Sequence, residues 1–400
     1  MPAPDPLDLA ASAMLPELVA LRRTLHAAPE VGLALPGTQA TIAEALDGLG
    51  LEISLGRTLS SVIAVLRGGK PGPVVLLRSD MDGLPVVEAT GLPFASRNGA
   101  MHACGHDLHM AGLVGAARLL AERRAELAGT VVLMFQPGEE GYAGGRLMIE
   151  EGVLDAAGDR PVAAFAIHVD CETTGGSAVT RQGPMMASVS VLHLRIVGTG
   201  GHAAHPHHAV DPVPVAAEVV LAVQAFVTRR IPVTDPAVVS ITRISSDSAA
   251  GNVLATSVAL EANIRTLSRE TLAIVRTELP RLVAALGEAH GCTVEAEWVD
   301  SYPVTVNDPT ETAWVLDLLD ERYGDAVVRL PAPSMASEDF AYVLEEVPGT
   351  LVFLGVEPTD LDHAAAPMHS ERAVFDDSRL GEHAALLAQL ALRRLAASPS

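Results

Sequence analysis

The feature that narrows the fold most is a change of texture along the chain. Up to about residue 170, short apolar runs at 62–66, 74–77, 131–135 and 162–169 alternate with stretches of helical periodicity. Strands that are apolar on both faces and separated by helices belong in an α/β layer. From about Ser188 the order becomes strand (188–197), helix (213–230), two strands (237–244 and 257–266), helix (269–289) and strand (292–299). Here Val258, Leu260, Ala262 and Ile264 alternate with Glu261, Asn263 and Arg265, so one face meets a core and the other meets solvent. The order βαββαβ is that of a ferredoxin-like unit. After Asp300 the helix–strand texture resumes. The expected architecture is a discontinuous α/β domain, residues 1–186 and 300–400, interrupted by a ferredoxin-like insertion, residues 187–299. Locally, the spacing predicts a first helix opening near Pro16, a turn through Gly68–Gly72 between two strands, and a kink at Pro280.

Composition removes several function classes. The formal charge of −22 opposes binding to phosphate backbones and anionic lipid, so neither nucleic acid nor membrane is an expected partner. Cys104, Cys171 and Cys292 form no C-x-x-C pair and leave an odd count, which points to a reducing compartment. The first residues are acidic where a signal peptide needs base, and no run approaches eighteen apolar residues, so a soluble cytoplasmic protein is expected. Gly198, Gly200 and Ala203 mimic the dinucleotide fingerprint, but Pro206, Pro212 and Pro214 prevent the helix that it requires. Neither a G-x-S-x-G elbow nor a P-loop occurs.

The donors that remain are metal-like. His102, Cys104, His106 and His109 fall within eight residues just before a helix, and Cys104 and His106, two apart around Gly105, can face one ion. Glu139 and Glu140 follow the strand 131–135, where open α/β sheets bind ligands, and adjacent carboxylates can divide metal binding from proton transfer. His168 lies at another strand end and His369 in a late loop. Within the insertion, His202, His205, His207 and His208 crowd one loop. Arg265 lies on the polar face of its strand, where it either pairs with Glu261 or receives a carboxylate.

Seven segments make the chain resemble the M20 family of metallopeptidases and amidohydrolases, in its subgroup of hippurate, N-acyl-amino-acid and auxin-conjugate hydrolases. They are Ser79-Asp80-Met81-Asp82-Gly83-Leu84-Pro85, Met101-His102-Ala103-Cys104-Gly105-His106-Asp107, Gln136-Pro137-Gly138-Glu139-Glu140-Gly141, Gly201-His202-Ala203-Ala204, Ala262-Asn263-Ile264-Arg265-Thr266, Ser337-Glu338-Asp339-Phe340 and Met368-His369-Ser370. The resemblance implies two divalent ions, zinc or manganese with cobalt as an alternative, held by Cys104, His106, Glu140, His168 and His369. It implies Glu139 as general base and Asp82 as the residue that orients a ligand. It also implies a lid-joined homodimer in which His202 steadies the oxyanion in the partner's site while Asn252 and Arg265 hold the substrate carboxylate. The implied reaction is hydrolysis of an N-acyl amino acid to a carboxylic acid and a free amino acid.

Two stretches depart from the family pattern, 169–176 after His168 and 141–145 with Tyr142, and both bear on substrate choice. A dipeptidase or a deacetylase of N-acetylated intermediates would use the same residues. A metal-binding scaffold without catalysis would need Glu140 but not Glu139.

Overall fold

The computed structural model describes residues 5–358 and 366–397. These form a mixed α/β fold with two compact units. The first comprises the described residues of Met1–Met185, Val306–Ala332 and Asp339–Ser400; the second is Met186–Thr305 with Pro333–Glu338.

The first unit is built on an eight-stranded sheet in the order Glu52–Leu55, Val62–Arg67, Ala128–Gln136, Lys70–Asp80, Ala163–Asp170, Gly349–Gly355, Ala178–Thr180, Val327–Arg329. Four central strands run parallel, so Asp80, Gln136 and Asp170 end on one edge. The turn after Val62–Arg67 does not join neighbours, because Ala128–Gln136 lies between the two strands it connects. Glycine makes this close approach feasible: a Cβ at Gly72 would stand 2.1 Å from the Ala128 carbonyl oxygen. Helices Pro6–Ala27, His106–Glu122 and Leu380–Ala396 supply Leu18, Leu113, Leu120, Leu386 and Leu390 to one continuous core with the sheet.

The first helix starts ten residues earlier than its sequence suggests. Asp5 caps the Leu7 amide at 2.9 Å and Pro6 takes the first turn, where its missing N–H costs nothing. Pro16 is therefore interior. Likewise, Arg269–Ala289 is one uninterrupted helix across Pro280.

The second unit has a four-stranded antiparallel sheet in the order Ala237–Ser246, Ser257–Thr266, Val189–Val197, Thr293–Tyr302. Numbering these strands along the chain gives 2-3-1-4, which is the ferredoxin-like arrangement. Val258, Leu260, Ala262 and Ile264 are buried with Val275, Leu279 and Val283 of Arg269–Ala289. Among the described residues one helix, Pro212–Arg230, is long and apolar enough to cross a membrane by length and composition. Its Val215, Val219, Val223 and Phe226 instead belong to this unit's core.

Beside the metal-ligand region lies a buried ionic cluster. The Asp107 carboxylate accepts from Arg22 Nε at 2.6 Å and from His26 Nδ1 at 2.8 Å, and His26 Nε2 stands 3.2 Å from Glu88. Burial alone would strip the proton from His26, but Asp107 and the bonds to Asp107 and Glu88 outweigh it and raise the pKa from 6.5 to about 9. A histidine raised in this way stabilises the fold fully below its unfolded pKa and ceases to do so as pH climbs through the folded value. The shift corresponds to roughly 3 kcal/mol. Urea unfolding midpoints should accordingly fall between about pH 7 and pH 10, and His26→Gln should be less stable at pH 7 without that extra slope; parallel profiles for the two proteins would refute the assignment.

Candidate metal centre

The proposed ligands stand on four segments that the parallel sheet brings to one edge. Cys104 and His106 flank Gly105, which caps the helix His106–Glu122 with φ +85°. A Cβ there would also meet Val169 Cγ2 at 2.4 Å, so only glycine lets this turn close against the neighbouring strand. His168 is near the end of Ala163–Asp170, and Glu139 and Glu140 follow Ala128–Gln136. His369 has φ +68°, unusual for a residue with a side chain, and is held by its N–H to the Ala103 carbonyl at 2.9 Å. Such a conformation costs about 1–3 kcal/mol and persists where the surroundings enforce it.

The structure brings these five donors together. Cys104, His106 and His168 form one group whose donor atoms lie within 4.8 Å of one another, and Cys104, Glu140 and His369 form another. Cys104 Sγ is common to both, 3.5 Å from His168 Nε2 and 3.3 Å from His369 Nε2, while His369 Nε2 is 3.3 Å from Glu140 Oε1. Glu139 also groups with His106 and Glu140.

Second partners set the imidazoles for ligation. His106 Nδ1 donates to the Asp82 carbonyl at 2.8 Å, and His168 Nδ1 donates to the Val169 carbonyl at 2.7 Å. Both Nε2 lone pairs are thereby turned to the site, as metal ligation requires. His106 Nε2 is buried without a hydrogen-bond partner among the described residues, a cost that an ion removes. The Asp82 carboxylate does not touch the imidazole closely; it accepts the backbone N–H groups of Glu139 at 2.9 Å and Glu140 at 3.0 Å.

The electrostatics call for positive charge. Burial opposes ionisation of Cys104, yet His168, His106 and His369 bring its thiol from 9.0 down to about 6. Hydrogen bonds to Cys104 and Glu140 push His369 up to about 10. Asp80 is held well below the usual carboxylate range despite burial, by His106, Arg78 and His109. Without another cation, the site gathers protons onto its histidines; a thiolate, a carboxylate and three imidazoles suit two borderline divalent ions. Cys171 behaves oppositely: burial, with Asp170 and Glu172, raises its thiol to about 12.

Sequence spacing overcounted donors in one stretch. His109 Nδ1 bonds Asp80 Oδ1 at 2.5 Å and its Nε2 accepts the Val169 amide at 2.8 Å, so both ring nitrogens are used. Burial drives His102 to about 3, leaving it neutral, and it joins no donor group among the described residues. Asp80 and Asp339 are the residues whose roles spacing did not reveal. Asp339 binds Arg78, Gln136 and the Gly145 amide, tying the segment after Glu140 to the sheet. Only their place in the Asp80-Met81-Asp82 and Glu338-Asp339 segments hinted at this.

In the second unit, His202 and Asn252 share a two-stranded ribbon: His202 pairs with Val253, and the Asn252 carbonyl accepts the Ala203 amide at 3.0 Å. Arg265 does not pair with Glu261, whose carboxylate instead lies 3.7 Å from His193 Nδ1. Its Nε bonds Asn263 Oδ1 at 3.0 Å and its Nη1 the Met335 carbonyl at 3.3 Å. Burial lowers its pKa, and no carboxylate faces it among the described residues.

An α/β sheet carrying a two-metal donor set beside an adjacent second carboxylate suits metal-assisted hydrolysis, and the relatives make the class a metal-dependent amidohydrolase. The chain belongs to peptidase family M20/M25/M40, which it matches over residues 76–393. It is 36% identical to an N-acetylcysteine deacetylase of Bacillus subtilis, over 89% of this chain and 93% of that protein. It is 37% identical to an N-acetyldiaminopimelate deacetylase of Listeria monocytogenes, over 90% and 96%. Among solved structures, a dinuclear metal-binding M20 peptidase from Bacillus subtilis superposes with a TM-score of 0.83 at 32% identity, covering 96% of this chain and 99% of that one.

Because Cys104 belongs to both donor groups, Cys104→Ala should lower bound metal measured by elemental analysis after dialysis. Unchanged stoichiometry would remove the thiolate from the centre.

Proposed function

We propose that this protein hydrolyses the amide bond of N-acyl amino acids, releasing a carboxylic acid and the free amino acid. The observation that carries this reading is the pair Glu139 and Glu140, whose adjacent amides are pinned by one Asp82 carboxylate while only one of the two side chains joins the Cys104 and His369 group. A scaffold that merely held metal would need the ligand without the second carboxylate. The names of the deacetylases at 36–37% identity favour acetyl as the acyl group over benzoyl.

Two divalent ions, with zinc favoured by the thiolate and imidazole donors and manganese as an alternative, would polarise the acyl carbonyl and would lower the pKa of water from about 16 towards 7. Cys104, His106, Glu140, His168 and His369 would hold them. Glu139, buried and fixed through its backbone, takes the proton of the attacking water and returns it to the departing amine. Arg265, a half-buried guanidinium without an acidic partner among the described residues, suits the substrate carboxylate, with Asn252 in the same role. His202, exposed and with Nδ1 accepting the Ala204 amide at 3.1 Å, retains Nε2–H to donate to the developing oxyanion.

By this reading the two units serve as catalytic and lid domains. A homodimer through the second unit is supported by the strand Ala237–Ser246, which lies at the edge of its sheet and exposes Val238 and Ile244. Three free cysteines with no disulfide among them suit a reducing compartment, which favours a cytoplasmic location.

The test is a panel of N-acetyl, N-benzoyl and long-chain acyl amino acids beside dipeptides, run on metal-reconstituted protein. We expect N-acetyl amino acids to be cleaved fastest, and Glu139→Gln to keep its metal while losing about 10²–10⁴-fold in turnover. Preference for unblocked dipeptides would overturn the substrate class, and full activity of Glu139→Gln would overturn the base.

A further inference from the structure

Residues 85–100 contain no helix or strand, and their ends are closed by Leu84 and Met101, whose amides exchange hydrogen bonds at 2.9 Å each way. A loop of that length inside a compact unit is uncommon and most often serves function. This one leads straight into Ala103 and Cys104, yet the proposed reaction gives it no task. One carboxylate organises it. Glu88, whose side chain is buried, accepts the Thr90 hydroxyl, the Ser96 amide at 2.7 Å and His26 Nε2 at 3.2 Å. Phe94 completes the docking on the first helix, edge-on to His26 with ring centroids 5.3 Å apart and with the Arg22 and Arg23 guanidinium carbons 4.9 and 4.8 Å from its ring.

The residue after Glu88 reaches towards the metal centre. The Ala89 amide donates to the Glu371 carbonyl at 2.7 Å, two residues beyond His369. His369 is the residue held at φ +68°, and such strain persists only where the surroundings over-determine it. The segment is gripped from two sides. The His369 amide donates to the Ala103 carbonyl at 2.9 Å, and the Ala89 amide holds Glu371.

We propose that Glu88 is a positioning residue for the metal ligand His369: by shaping the loop 85–100 it sets the Ala89 amide against the Glu371 carbonyl. That bond keeps His369 in the conformation from which Nε2 stands 3.3 Å from both Cys104 Sγ and Glu140 Oε1. The inference rests on the assignment of Cys104, Glu140 and His369 to one of two ions. Without the Glu88 carboxylate the buried Ser96 amide loses its acceptor, the loop loses its shape and His369 is free to leave its strained φ. The group of Cys104, His106 and His168 is spared, because His106 and His168 are set by the Asp82 and Val169 carbonyls.

The experiment titrates metal-free protein with Zn²⁺ against a chromophoric chelator, giving two dissociation constants for wild type, Glu88→Gln, Ala89→Pro and Leu319→Ala. Ala89→Pro deletes the donor to Glu371 and keeps the Glu88 carboxylate; Leu319→Ala is a stability control in the core of the helix Pro309–Tyr323. Glu88→Gln and Ala89→Pro should each weaken one ion about 10-fold and leave the other unchanged, with turnover restored by added Zn²⁺. Hydrogen exchange of residues 366–373 should quicken in both metal-free variants, while Leu319→Ala should lower Tm with both constants unchanged. Unchanged constants in Glu88→Gln, a loss that Ala89→Pro does not reproduce, or the same loss in Leu319→Ala would overturn the proposal. The constants are read without substrate, so wild type inert towards every acyl amino acid would overturn the proposed reaction and not this positioning role.

Discussion

Asp82 is the point on which the centre depends. Its main-chain carbonyl takes the Nδ1 proton of His106, and its carboxylate takes the backbone amides of Glu139 and Glu140. This single residue, two positions beyond the strand Lys70–Asp80, thus sets the tautomer of one imidazole and the backbone position of both acids. Two of these bonds are buried and the one to Glu140 is partly buried, so breaking them leaves poorly satisfied polar groups, which makes the arrangement stiff. The Asp82 carbonyl also decides which His106 nitrogen faces the cluster.

Around this point the charges are organised in two tiers. Cys104, Glu140 and Asp80 bring negative charge into a largely buried site, and the neighbouring histidines hold all three below their ordinary pKa values. Arg22, His26 and Asp107 form a compensated cluster of their own beside the helix that carries His106. The net charge of −22 therefore says little about partners. It describes a solvated surface around a centre whose demand for positive charge is local.

Much of this was legible in the sequence, because strand and helix periods and donor clustering are local signals. The order βαββαβ and the edge position of Glu139 and Glu140 follow from apolar periodicity alone. What escaped it was non-local. The helix start at Pro6 is decided by the Asp5 cap, a signal that Pro16 obscured. The intercalation of Ala128–Gln136 between strands joined by a turn depends on backbone approach at Gly72. His109 resembles a ligand by spacing, yet its ring is taken by Asp80 and the Val169 amide, partners 29 and 60 residues away. Strands of three residues, such as Ala178–Thr180 and Val327–Arg329, are too short for a period to register.

The central claim is that Cys104 and the Asp82-oriented imidazole of His106 belong to a two-metal centre together with His168, Glu140 and His369. X-ray absorption at the zinc edge of protein carrying two equivalents of zinc tests it most directly. The account predicts a nitrogen and oxygen shell at about 2.0–2.2 Å together with sulfur scattering at about 2.3 Å. A spectrum without the sulfur contribution would contradict it.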